Sequence, residues 1–349
     1  MRVAIVTVQV PFIRGGAEVL ADSLLQALRN QGVEADIVSI PFKHYPPERI
    51  LDHMMACRLL DLTEAFGNPI DRVIALKFPA YLVPHPNKVL WILHQHRSAY
   101  DLWEHPQAGD LRHAPNGQFV RDAIHQADQK LIPEAKAIFT LSENVSRRLK
   151  NSCGIQSEPL YNPPAGAEAF YCAEASDYLF CPSRINPLKR QTLVLKALAH
   201  TRQPVRVWFA GAADHPQLQQ ECDRLVREFR LQERVRFLGS VSESEKLRLY
   251  AESLGVVFAP VDEDYGYITL EAMLSRKPVL TCEDSGGPLE FVRPHETGIV
   301  AEPTPEAVAE GLDDLWADRM RAEKWGIAGH ERYQAMEISW KNVVERLLA

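Results

Sequence analysis

Strict alternation between apolar strand-like runs and helical runs constrains this chain more than any single residue does. The first run begins at once: Arg2 to Gln9 reads RVAIVTVQ, Gly15-Gly16-Ala17-Glu18 turns the chain, and Val19 to Arg29 carries apolar residues at helical spacing. Asn30-Gln31-Gly32 closes that helix, and a second strand at Ala35–Ile40 completes a βαβ unit. The pattern continues with a helix over Arg49–Leu62, strands at Arg72–Phe78, Lys88–Leu93 and Ala137–Ser142, and a helix over Glu143–Asn151. Asn162-Pro163-Pro164-Ala165-Gly166 then reads as a proline-stiffened linker. A second series follows, with strands at Asp177–Cys181, Val205–Ala210, Val235–Leu238, Gly255–Ala259 and Pro278–Cys282. Helices over Lys189–His200, Gln217–Phe229 and Glu243–Ser253 separate them. Such alternation predicts α/β domains with doubly wound parallel sheets. At 349 residues the chain is long enough for two of them.

Composition narrows the function classes. The net charge of −7 argues against a broad nucleic-acid-binding face, while leaving room for a local basic pocket. No apolar run approaches the length of a membrane span, and the N-terminus runs directly into a strand, so neither a span nor a signal peptide is expected. The six cysteines, at 57, 153, 172, 181, 222 and 282, show no paired or metal-like spacing, which fits reduced thiols in a cytoplasmic protein.

The densest chemistry lies in Glu263-Asp264-Tyr265-Gly266-Tyr267-Ile268-Thr269-Leu270-Glu271. An apolar strand precedes it and a short helical stretch, Leu270 to Ser275, follows. The amides of Gly266, Tyr267 and Ile268 are therefore predicted at a helix N-terminus, where N–H groups lacking intrahelical partners and the positive end of the dipole favour an anion. Gly266 permits close backbone approach. Two carboxylates beside an anion site suit a ligand bearing both phosphate and hydroxyls; solvated acids around an ordinary helix start are the alternative.

Other candidates stand at strand ends. In Ser183-Arg184-Ile185-Asn186-Pro187-Leu188-Lys189, two cations five apart could clamp a diphosphate, Arg184 as a planar fork and Lys189 as a point charge, or could simply be solvated. Gly211, Gly239 and Gly286-Gly287 each follow a strand. Gly15-Gly16 is a weaker signal, since a tight turn without a ligand explains it equally and no GxGxxG or Walker A motif occurs. His94-Gln95-His96-Arg97 comes where a buried strand ends; either histidine could orient a hydroxylated or anionic substrate, or hydrogen-bond the loop. No third ligand suggests a metal there.

Taken in order, these residues carry a resemblance. Arg184 and Lys189, Gly211, Arg234-Val235-Arg236-Phe237-Leu238-Gly239, the Glu-x7-Glu pair at 263 and 271 with its internal aromatic-Gly, Gly286-Gly287 with Glu290, and Gly298 resemble a retaining glycosyltransferase of family 4, or group 1. Gly15-Gly16 and His94 extend the likeness over nearly the whole chain. Ser339-Trp340-Lys341-Asn342-Val343-Val344 resembles the family's last helix, which returns to the N-terminal domain.

The resemblance implies a GT-B architecture, two Rossmann-like domains facing a cleft. Residues 1–165 would bind the acceptor, 166–330 the nucleotide sugar, and 331–349 would form the returning helix. Arg184, Lys189 and the amides at Tyr267 and Ile268 would hold the donor diphosphate, with Gly211 and Leu238 lining the donor side. Glu263 would hold sugar hydroxyls and Glu271 the ribose. Gly16 would lie beneath the diphosphate, with His94 against the donor sugar and His96 and Arg97 beside it. The implied reaction moves a hexose from a UDP- or GDP-sugar to a glycan, lipid-linked or small-molecule acceptor, with retention and no metal or other cofactor. A nucleotide-sugar epimerase and a non-catalytic nucleotide-sugar-binding protein are the other readings of the same residues. Tyr265, where Phe is commoner, and Asp264 depart from the family pattern and bear on donor preference. A cytoplasmic protein, at most weakly peripheral at the inner membrane face, is expected.

Overall fold

The structure, a computed structural model, describes residues 1–12 and 15–349. The chain divides into two compact units, Met1–Ala165 with Ser339–Ala349, and Gly166–Ile338. Each is a parallel six-stranded sheet flanked by helices.

In the first unit the strands are β1 Arg2–Gln9, β2 Glu34–Pro41, β3 Arg72–Ala75, β4 Lys88–Ile92, β5 Ala137–Thr140 and β6 Glu158–Pro159. Their order across the sheet is β2-β1-β3-β4-β5-β6, all pairs parallel. The winding reverses between β1 and β3, which makes that edge the place where loops diverge. Helix α1, Gly16–Asn30, buries Leu20, Ala21, Leu24, Ala27 and Leu28 on one stripe. Helices α2, Glu48–Leu59, α3, Gly117–Leu131, and α4, Glu143–Cys153, complete the layers. Ser142 caps α4 by accepting from the Val145 amide at 3.1 Å, and Gly154, at φ +71°, ends it.

The second unit repeats the plan. Strands β7 Leu179–Pro182, β8 Val207–Ala210, β9 Val235–Phe237, β10 Gly255–Val257, β11 Val279–Cys282 and β12 Gly298–Ala301 lie in the order β9-β8-β7-β10-β11-β12, again parallel. Here the reversal falls between β7 and β10. The helices are α5 Gln191–His200, α6 Pro216–Glu228, α7 Glu243–Glu252, α8 Tyr267–Leu274, α9 Pro305–Ala317 and α10 Arg319–Ala335. One buried cluster joins Leu179, Leu195, Val207, Val257, Leu280 and Leu312 across the sheet and its helices.

Several boundaries differ from those read off the sequence. The helix placed over Arg49–Leu62 stops at Leu59, and residues 64–69 form a small antiparallel hairpin with Phe66 at its tip. The division placed at 331 moves to Ser339, because α10 runs unbroken through that point to Ala335. Helix α11, Trp340–Leu348, is capped by Ser339 and belongs to the first unit. There the Trp340 ring stands edge-on to Trp91 at 6.2 Å, and Arg72 donates to the Leu347 carbonyl at 2.7 Å. Among the described residues no helix is long and apolar enough to cross a membrane.

The first unit also buries a carboxylate. Asp128, fully enclosed on α3, accepts hydrogen bonds from the Tyr81 hydroxyl (2.9 and 3.0 Å), the Gln95 amide (2.9 Å) and the Tyr100 hydroxyl (2.9 Å). Burial pushes its carboxyl up to about 6, although these three donors pull the other way. A folded-state value above the unfolded one means the folded protein binds the extra proton. The contribution to stability is thus complete below about pH 4 and is lost as pH rises through about 6. The difference between about 4 unfolded and about 6 folded corresponds to about 3 kcal/mol. Urea unfolding of Asp128→Asn between pH 4 and 7 should show that share of the pH dependence gone, whereas an unchanged profile would remove Asp128 as its source.

Candidate functional site

In the second unit the carboxyl ends of β7 and β10, on either side of the winding reversal, carry the candidate residues. Crevices at such reversals bind ligands in open α/β sheets, because adjacent loops leave in opposite directions. Past β7 the chain presents Ser183 and Arg184, then a short 3-10 turn, Pro187–Lys189, capped by Asn186 through the Lys189 amide at 3.0 Å. That turn aims Lys189 across to the loop after β10, where its ammonium meets Glu263 Oε2 at 2.5 Å. Both side chains are about four-fifths buried, and the Lys189 ammonium also lies 5.2 Å from the Phe258 ring centroid. Arg184 is farther out: its side chain is 69% exposed and bonds Asp214 at 2.8 Å, while Asn186 reaches the other Asp214 oxygen at 3.2 Å. An exposed pair of this kind contributes about 0–1 kcal/mol, so Arg184 exchanges partners at little cost.

The backbone around Glu263 is held from two sides. Its amide donates to Ser285 at 2.9 Å and its carbonyl accepts from Gly287 at 2.8 Å, forming a bridge to the Gly286 loop. Gly266 caps α8 at φ +92°, and a Cβ there would come within 2.9 Å of Pro288. Helix α8 therefore begins at Tyr267, three residues earlier than the stretch marked in the sequence, with Gly266, Tyr267 and Ile268 as its cap and first two positions. The Thr269 amide donates to the Gly266 carbonyl at 2.9 Å, and the positive end of the α8 dipole suits this turn to an anion. Tyr265 is 1% exposed, with its ring edge-on to Tyr267 at 4.8 Å and Phe291 at 5.5 Å. Its ring packs beneath the turn.

Glu271 lies one turn further on. Its carboxylate accepts from the Tyr250 hydroxyl at 2.6 Å and pairs with Lys246 at 3.5 Å. Burial raises the Glu271 carboxyl, with Lys246 and Tyr250 opposing that rise. Burial likewise lowers the Lys246 ammonium, but the carboxylates of Glu271 and Glu243 outweigh it and leave it raised. Gly211 and Leu238 are at neighbouring strand ends. Gly211 has φ +143°, sits against the Ser183 backbone where a Cβ would be 2.0 Å from its carbonyl oxygen, and donates to Gly239 at 2.7 Å. The Leu238 amide donates to Phe209 at 2.8 Å.

In the first unit, Gly15 and Gly16 open α1 at that sheet's own winding reversal. The Gly15 amide donates to Glu18 at 2.8 Å, and Glu18 pairs with Lys77, just past β3, at 3.4 Å. Burial acts to raise the Glu18 carboxyl, but the Gly15 amide and Lys77 more than offset it, leaving it lowered. His94 Nδ1 lies 2.6 Å from the Gln95 carbonyl, an acceptor only, so Nδ1 carries the proton and Nε2 is the basic nitrogen of the neutral ring. His96 packs against Phe78 at 5.2 Å and Phe42 at 6.4 Å, and burial pulls its imidazole down to about 4, which keeps it neutral at pH 7. Arg97 is tied to Asp101 at 2.6 Å, which Arg148 shares at 3.3 Å.

Within the second unit the structure pairs Lys189 with Glu263 and sets Gly266 at the cap of the helix that carries Glu271, while Arg184 bonds Asp214 and Glu271 bonds Tyr250 and Lys246. It also adds residues that motif reading passed over: Arg190, Asp214, Lys246, Tyr250 and, in the first unit, Glu18 and Lys77. Lys246 and Tyr250 are four apart on α7, a spacing legible as one helix face. Only the fold reveals that this face meets Glu271. Gly266→Ala should cost about 1–3 kcal/mol in urea unfolding, from left-handed strain and contact with Pro288; a cost near zero would mean the α8 cap relaxes freely.

Residues 172–332 match the family model "Glycosyl transferases group 1". A human relative, alpha-1,3/1,6-mannosyltransferase ALG2, is 31% identical over 163 residues, 43% of this chain. The chain spans about two fifths of the length of that relative, 39%. Among solved structures, sucrose-phosphate synthase from Thermosynechococcus elongatus aligns over 99% of this chain and 97% of its own, with a TM-score of 0.79 and 17% identity. Anabaena HepE, solved in complex with UDP-glucose, aligns over 100% and 98%, with a TM-score of 0.73 and 16% identity. The chain thus has the GT-B fold of two Rossmann-like domains, and the residues that match the group 1 glycosyl transferase model lie within its second unit.

Proposed function

We propose that this protein is a retaining glycosyltransferase of family 4, moving a hexose from a UDP- or GDP-sugar to a glycan, lipid-linked or small-molecule acceptor. The observation that carries the reading is the coincidence, at one winding reversal, of a cation paired with a carboxylate and the N-terminus of α8. The second unit then binds the donor and the first unit the acceptor.

Lys189, Arg184 and the first amides of α8 meet the donor diphosphate. As the glycosidic bond to the leaving phosphate lengthens, negative charge grows on that phosphate and positive charge on the anomeric carbon. Fixed cations and amides aimed at the phosphate stabilise this state without reorganising. That is why the reaction needs no metal. Glu263 accepts hydrogen bonds from sugar hydroxyls while Lys189, which pairs with it, holds its carboxylate in place. Glu271 holds the ribose. In the first unit Gly15 and Gly16 offer backbone to a phosphate, and His94, held in one tautomer by the Gln95 carbonyl, offers Nε2 to a sugar hydroxyl. Attack of an acceptor hydroxyl on the same face that the phosphate leaves gives retention, with the departing phosphate taking up the hydroxyl's proton. The protein works in the cytoplasm, with membrane contact that is at most peripheral, on lipid-linked or soluble acceptors.

Thermal-shift titration with UDP- and GDP-sugars tests this directly, since a ligand of the folded state raises apparent stability by mass action. One nucleotide should stabilise the protein with and without chelator, and the shift should fall in Lys189→Ala and Arg184→Ala. No response to any nucleotide sugar would overturn the proposal. In turnover assays His94→Ala should lose about two to three orders of magnitude in kcat while donor affinity holds. Unchanged turnover would remove His94 from the mechanism. Proton NMR of the product should show the donor's anomeric configuration, and inversion would contradict retention.

A further inference from the structure

The surroundings of Glu271 go beyond what its own role requires, and the inference drawn from them rests on the donor reading above. A carboxylate offers about four lone-pair sites. Two of the four Glu271 sites are taken by α7: the Tyr250 hydroxyl occupies Oε2 at 2.6 Å and the Lys246 ammonium approaches Oε1 at 3.5 Å. Tyr250 is fully buried, standing edge-on to Phe180 at 5.0 Å and Phe170 at 5.7 Å, so its hydroxyl has one place to point. Lys246 is held from behind by Glu243 at 2.8 Å and passes 5.6 Å from the Phe170 ring. The Glu271 side chain keeps 14% exposure, so one face of the carboxylate is still reachable.

We infer that Lys246 and Tyr250 are positioning residues that fix the Glu271 carboxylate so that its two remaining acceptor sites meet a vicinal diol, making the site selective for ribonucleotide donors over deoxyribonucleotide ones. The physical logic is a division of the carboxylate's valence. Donors behind each oxygen leave one acceptor site in front of each, and the oxygens of a carboxylate are spaced to receive two neighbouring hydroxyls. A ligand missing one hydroxyl leaves a desolvated acceptor unpaired, and a site built to bond a hydroxyl rejects the analogue that lacks it far more strongly than apolar shape alone can. Lys246 adds a second effect. Without its charge, a largely buried carboxylate would take up a proton and turn one acceptor into a donor.

The experiment is calorimetric binding of UDP and GDP and of their 2′-deoxy and 3′-deoxy forms to the full chain. The proteins compared are wild type, Tyr250→Phe, Lys246→Met and Lys246→Arg, with circular dichroism as the folding control. Wild type should prefer the ribonucleotide by tenfold or more (about 1.4 kcal/mol). Tyr250→Phe and Lys246→Met should weaken ribonucleotide binding by about tenfold and leave the deoxy forms nearly unchanged, collapsing the ratio. Lys246→Arg should restore most of it. A residue that merely stabilised the fold would weaken all ligands together and leave the ratio intact. Wild type that binds nucleotide with no ribose preference, or variants that keep the ratio, would overturn this inference alone. Failure of wild type to bind either UDP or GDP would overturn the donor reading and this inference with it.

Discussion

The arrangement at the end of the second sheet depends on one guanidinium. Arg190 follows Lys189 directly, takes a left-handed backbone at φ +52°, and turns its side chain under the neighbouring loops. Its Nε donates to the Ala259 carbonyl at 2.7 Å, Nη2 to the Pro260 carbonyl at 2.7 Å, and both terminal nitrogens clasp Asp284 at 2.7 and 2.8 Å. The loops that leave β7, β10 and β11 are therefore bonded to one planar, permanently charged group. A lysine could not reproduce this, since it lacks the fork that bonds two carbonyls and a carboxylate in fixed directions. The placement of Lys189, Glu263 and the Gly286 loop follows from that bracing.

The contact between Lys189 and Glu263 sets the electrostatics of the site. A carboxylate and an ammonium each lose hydration when they are mostly buried, and the lysine here lies beside the apolar Phe258 ring. Paired at 2.5 Å, each makes the other tolerable in a partly buried position.

Much of this was legible from residues alone, and the physical reasons are specific. Strands fully buried on both faces read as unbroken apolar runs, so RVAIVTVQ and the run from Gly255 were visible at once. Gly266 and the glutamates around it announce a strand-to-helix turn through residue type and spacing. Helix α3 was passed over because its polar face, rich in Gln, Asp and Arg, dilutes a narrow stripe of Val120, Ile124 and Leu131. The Glu18–Lys77 pair and the Tyr250–Lys246–Glu271 cluster escaped for another reason. Their members are 59 and about 20 residues apart, and only the winding of the sheet brings them together. The burial of Tyr265 is of the same kind: sequence placed it at the site, while packing decided which way its ring faces.

The return of α11 to the first unit carries a consequence for the order in which the molecule is made. Chains emerge from the ribosome N-terminus first, and domains generally fold as units as they appear. Here the first unit is interrupted: Arg72 and Trp91 are synthesised early, but their partners Leu347 and Trp340 follow the whole of the second unit. The first sheet must form with one flank uncovered and stay so while some 170 further residues fold. Completion of the first unit is thereby made to wait for the second, so a chain truncated anywhere before Ser339 would leave that flank open to water and to quality control.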